Sequence, residues 1–61
     1  MEYKEYYSLV CDWLRDLGVD SDVIRTSAVV DEYINDAFIS YDDPEETAHD
    51  IVKALKQVTH D

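Results

Sequence analysis

The side chains of this chain that could do chemistry are mostly carboxylates: fifteen Asp and Glu, against two His, one Cys and five Lys or Arg. Catalysis by carboxylates, thiols or imidazoles requires them at set spacings, and those spacings are missing. His49 and His60 are too far apart to be the i, i+4 pair of a helical metal site. Asp42-Asp43-Pro44-Glu45 lacks the Gly and the alternating oxygen ligands of a calcium loop. No glycine-rich run could cradle a phosphate, since Gly18 is the only glycine. Cys11 lies two residues from Trp13 on an apolar pattern, the setting of a packed thiol more often than of a nucleophile. A chain of 61 residues also leaves little room for a closed pocket. We therefore expect no enzyme, no cofactor and no bound metal.

What the carboxylates can do is create a field. The formal net charge is −10, which argues against direct binding to nucleic acid or to an anionic membrane, because both require basic surface. The charge is also unevenly placed. No Lys or Arg occurs between Arg25 and Lys53, while that stretch carries Asp31, Glu32, Asp36, Asp42, Asp43, Glu45, Glu46 and Asp50. Glu32 with Asp36, and Glu46 with Asp50, stand at i, i+4. On a helix such like-charge pairs each cost a few tenths of a kcal/mol. We expect these eight side chains to form an acidic ridge that meets a partner, with Tyr41 beside them as the aromatic contact. The bland alternative is a solvated acidic face that maintains solubility. Asp43, Glu45 and Glu46 would also suit a helix start whatever the function.

The elements that must position these residues are helical. One Gly and one Pro in 61 residues are too few for the turns of a β-sandwich or barrel. Tyr6, Val10, Trp13 and Leu17 recur at helical spacing and predict a first helix over 2–17, closed by Gly18. Asp20 or Ser21 caps the next helix. Val23, Ile24, Val30, Tyr33, Ile34, Ala37 and Phe38 form the second apolar pattern, interrupted by Arg25-Thr26-Ser27. Either one helix runs over 21–39, or a short turn at 21–26 precedes a helix that begins near Ser27. Asp43 as N-cap, Pro44 as first helical residue and Glu46 reaching back to the cap predict a last helix over 44–58, with Ala48, Ile51, Val52, Leu55 and Val58 on its apolar face. The final residues, 59–61, are expected to fray.

The predicted fold is therefore all-α, a small three-helix bundle forming one domain over 1–61. Its core would contain Val10, Trp13, Ile34, Phe38, Ile51 and Leu55. With one cysteine, no internal disulfide can reinforce that core. No signal segment or membrane-length apolar run is present, and a lone thiol fits a reducing compartment, so a cytoplasmic setting is the default.

Two short stretches resemble known families. Gly18-Val19-Asp20-Ser21 resembles the attachment site of acyl carrier proteins, but Asp22 stands where that family has Leu, and too short a segment precedes it. Tyr41-Asp42-Asp43-Pro44-Glu45 through Ile51-Val52-Lys53 resembles the acidic third and fourth helices of nuclease-colicin immunity proteins. That second likeness covers less than a third of the chain, and the preceding helices do not follow the pattern. It implies only that such a surface suits inhibition of a basic enzyme.

The residues support two functional expectations. The first is an acidic inhibitor that occupies the basic nucleic-acid-binding surface of another protein, in the manner of DNA mimics such as phage anti-CRISPR or anti-restriction proteins. The second is a non-catalytic adaptor or homodimerising module, docking through an aromatic face of the first helix with Tyr3, Tyr7 and Leu14.

Overall fold

The computed structural model of the chain describes residues 1–59, and their side chains through Lys56. It contains four helices: α1 (Tyr3–Asp16), α2 (Ser21–Thr26), α3 (Ala28–Ile39) and α4 (Pro44–Thr59). No strand occurs among the described residues. Thr59, expected to fray, is the last residue of α4; the expected fraying of 60–61, the placement of His60 and the Val58 side chain lie outside the described residues.

The two alternatives for residues 21–39 resolve in favour of a break. Ser27 adopts an extended conformation (φ −82°, ψ 122°) and serves at once as the C-cap of α2 and the N-cap of α3. Asp20 caps α2, its carboxylate accepting from the Asp22 N–H at 3.0 Å, so the Asp20-Ser21 pair is a helix start. Within α2 the Thr26 hydroxyl donates back to the Asp22 carbonyl at 2.7 Å. Such back-bonding lets Thr turn the backbone at a helix end.

α1 ends in a Schellman motif. The Val19 N–H donates to the Leu14 carbonyl and the Gly18 N–H to the Arg15 carbonyl, with Gly18 at φ +92°. Val19 folds back onto the core, the apolar contact that usually accompanies this motif.

α4 packs mainly on α1 and then on α3, while α2 rests mainly on α1. The core consists of Tyr6, Val10, Cys11 and Leu14 from α1, Ile24 from α2, Val30, Ile34 and Ala37 from α3, and Ala48 and Ile51 from α4. Burying each of the larger aliphatic side chains is worth about 1.5–3 kcal/mol.

Three of the six expected core residues, Val10, Ile34 and Ile51, are fully buried. Phe38 and Leu55 pack against the core from its edge. Trp13 is a correction. It is 37% exposed, because it lies on the flank of α1 with Leu9 and Leu17, whereas the buried line runs through Tyr6, Val10 and Leu14. The bundle is too thin to enclose an indole there. Tyr33, also assigned to the apolar face of its helix, is 42% exposed.

Candidate protein-binding surface

The α3–α4 turn organises the acidic stretch. α3 ends in a second Schellman motif: the Asp42 N–H donates to the Ala37 carbonyl and the Tyr41 N–H to the Phe38 carbonyl. The left-handed position of this motif usually holds Gly. Here it holds Tyr41 at φ +61°, a conformation that costs a non-glycine residue about 1–2 kcal/mol. The Tyr41 side chain recovers nothing by packing, since the residue is 95% exposed.

The turn is anchored from below. The Tyr6 hydroxyl donates to the Asp42 carbonyl at 2.8 Å and shares a hydrogen bond with the Thr47 hydroxyl at 2.9 Å. Thr47 is buried, and this contact satisfies its hydroxyl. One phenol thereby ties α1 to both the turn and the start of α4.

The carboxylates distribute around this anchor. Asp36 of α3, Asp42 of the turn and Asp50 of α4 line one open cleft, together with Tyr33, Ser40 and Thr47. All three carboxylate residues are exposed. Asp31 is separate from them. Its carboxylate accepts from the Tyr7 hydroxyl at 2.8 Å, which places it on the α1 side of α3. Asp31 and Asp36 are five residues apart, so they project about 140° apart around the helix axis. Glu32 falls between them on the outward face and is exposed, as are Asp43, Glu45 and Glu46.

The Asp43 carbonyl accepts the Thr47 N–H at 3.0 Å, as an N-cap carbonyl should. The rest of the expected capping box is absent: neither the Asp43 nor the Glu46 carboxylate makes a hydrogen bond among the described residues. Both charges are left to solvent.

Among the described residues there are two ion pairs, Arg15–Asp12 and Arg25–Asp22. Both use carboxylates outside the base-free stretch, so none of its eight acids is in an ion pair among the described residues. Lys4, Arg15 and Arg25 instead line a separate cleft on α1 and α2. Three of the five cationic side chains of the protein thus share a cleft that no residue of the α3–α4 turn lines. No group of three or more His, Cys, Asp or Glu among the described residues is arranged to hold a metal.

On the other side of the turn lies a feature that the apolar patterning did not reveal. Met1, Tyr6, Phe38, Ile39, Tyr41, Asp42 and Pro44 line an open groove of about 560 Å³. Ile39 is 64% exposed there. The available signal was its register: Ile39 follows Phe38 directly and falls off the Val30, Ile34, Ala37 line.

The aromatic face of α1 is engaged internally. Tyr3 meets Phe38 edge-on with ring centroids 5.1 Å apart, Tyr6 meets Phe38 at 5.6 Å, and Tyr3 lies 6.0 Å from Tyr7. Leu14 is fully buried, so it cannot serve on a docking face as the adaptor expectation required. The Tyr7 phenol is pushed up to about 12 by burial first and by its hydrogen bond to the Asp31 carboxylate second. Burial likewise raises the Cys11 thiol, with Arg15 opposing and Asp12 and Asp31 adding to the shift. A buried thiol with a raised pKa is a packing residue.

Among the described residues no helix is long and apolar enough to cross a membrane. Comparison of the chain with protein-family models, with curated proteins and with solved structures finds no match. The functional reading therefore rests on the surface itself.

Proposed function

We propose that this protein is a non-catalytic acidic binder that presents the α3–α4 turn to the basic nucleic-acid-binding surface of another protein, acting in the cytoplasm as a DNA-mimic inhibitor of the anti-CRISPR or anti-restriction type. Asp36, Asp42 and Asp50 form the centre of the contact. Glu32, Asp43, Glu45 and Glu46 extend it, and Tyr41 supplies an aromatic contact. The observation that carries this reading is that the eight acids from Asp31 to Asp50 have no ion-pair partner among the described residues.

Magnitudes limit the form of mimicry. The molecule is 36 Å long, about one turn of duplex DNA. At about 1.7 Å of axis per phosphate, that length of duplex carries about 20 charges, against a net −10 here. The molecule as a whole is only about half as charged as DNA, so the resemblance to phosphate must be local, on the turn and its flanking helices. Such a surface favours fast, salt-sensitive association.

The test is affinity capture from a host lysate at low and high salt, with the native protein and a D36K/D42K/D50K variant side by side. The expected result is a nucleic-acid-binding protein retained by the native form at low salt, released at high salt and not retained by the variant. Retention of the same protein by the variant at high salt would overturn the reading.

A further inference from the structure

The groove beside the acidic cleft has three properties that belong together. It is apolar, with Phe38, Ile39, Tyr41 and Pro44 in its lining. Its volume of about 560 Å³ lies within the range of about 300–1,000 Å³ typical of small binding sites. Its two most exposed apolar residues on α3 and the turn, Ile39 and Tyr41, contribute little to the fold, and Tyr41 is held in a conformation that disfavours its own side chain.

Asp42 lines both this groove and the acidic cleft. The turn is therefore a saddle, with apolar surface on one side and uncompensated carboxylates on the other. An occupant that spans the saddle must offer an apolar group and, next to it, positive charge. A second copy of this chain is disfavoured, since each copy carries −10 and the same carboxylates would face each other. An anionic lipid surface is disfavoured for the same reason.

Resting on the acidic-binder reading above, we propose that the groove is a socket for one large apolar side chain, carried on a lysine- or arginine-rich segment of the target protein. The carboxylates of the cleft would bring the basic segment in. The socket would then select targets that place an aromatic or aliphatic side chain beside their basic residues. Charge alone discriminates poorly among basic proteins, whereas a filled pocket at the centre of an interface contributes strongly to affinity.

The probes are three synthetic peptides of equal length: a lysine-rich peptide with one central Trp, the same peptide with Ser in place of Trp, and a glutamate-rich peptide with the Trp. Binding to the full chain is followed by amide chemical shifts at low salt. The Lys–Trp peptide is expected to bind about tenfold more tightly than the Lys–Ser peptide, with the largest shifts at Ile39 and Tyr41. An I39S variant, with its fold checked by circular dichroism, should lose that advantage and bind the Lys–Ser peptide as before. Equal binding of the two lysine-rich peptides to the native protein would overturn the socket and leave the acidic-binder reading standing. Failure of both to bind would overturn that reading as well. Equal binding of the glutamate-rich and lysine-rich Trp peptides would overturn the coupling of socket to charge.

Discussion

The Tyr6 and Thr47 hydroxyl oxygens lie 2.9 Å apart in the core although the residues are 41 positions apart in sequence. The same phenol holds the Asp42 carbonyl, so the acidic turn inherits its position from a side chain on the first helix. Tyr6→Phe should leave the Thr47 hydroxyl buried without a partner and destabilise the fold by about 1–3 kcal/mol. Adding Thr47→Val should restore part of that loss, because removing both partners costs less than orphaning one. Denaturant melts of the two single variants and the double variant test this. Strict additivity would mean the two hydroxyls are not coupled.

Tyr41 provides a test that separates stability from function. Tyr41→Gly relieves the left-handed strain at φ +61° and removes a side chain with no packing. It should stabilise the protein by about 1 kcal/mol. In the same variant, binding to the target should weaken. A glycine variant that is both more stable and equally competent in binding would show that the ring plays no part in the interface.

The Tyr7–Asp31 hydrogen bond predicts an alkaline limb in stability. The folded phenol titrates at about 12, against an ordinary value of 10.0. Above 10 the unfolded chain loses this proton while the folded chain retains it, so the unfolded state binds fewer protons and stability falls as pH rises. The contribution is complete below pH 10 and is lost as pH climbs towards 12. Thermal melts across that range should show the decline. In Tyr7→Phe its steepness should diminish, and the phenolate component near 12 should disappear from the absorbance titration.

Uncompensated acids should also be visible without a partner. Added sodium chloride should stabilise the free protein by screening repulsion on the α3–α4 side. In the D36K/D42K/D50K variant, Glu32 and Glu46 gain opposite charges at i+4, each worth about 0.2–0.5 kcal/mol. That variant should melt at a higher temperature in low salt and respond less to salt. A melting temperature independent of salt in the native protein would contradict this account of the charge.

Core and flank should differ in their tolerance. Ile34 is fully buried, and Ile34→Ala should cost about 2–5 kcal/mol, enough to unfold much of so small a domain. Trp13, the only tryptophan, is partly exposed. Its fluorescence in the folded state should be readily quenched by acrylamide. A fully shielded indole would contradict its placement on the flank of α1.

Much of the fold was legible in one dimension. Local rules sufficed for the all-helical class, the Gly18 cap of α1, the Asp20 start of α2 and the Pro44 start of α4, because each depends on neighbouring residues and on backbone geometry. Val10, Ile34 and Ile51 were legible as core because they lie at the centre of their apolar stripes. Trp13 was not, because periodicity gives a direction around a helix but not the depth of the neighbour it meets.

The sequence alone determined that a long run of carboxylates would have no Lys or Arg within it, and that helices would carry most of them. Only the tertiary structure decided which of them meet. It turned Asp31 towards Tyr7, gathered Asp36, Asp42 and Asp50 around one cleft, and opened an apolar groove across the turn from them. The reason is physical. Charge along a chain is a local property, whereas the grouping of side chains depends on helix rotation, and that was set by burying Ile34, Ile51 and Val10 in one core with Tyr6.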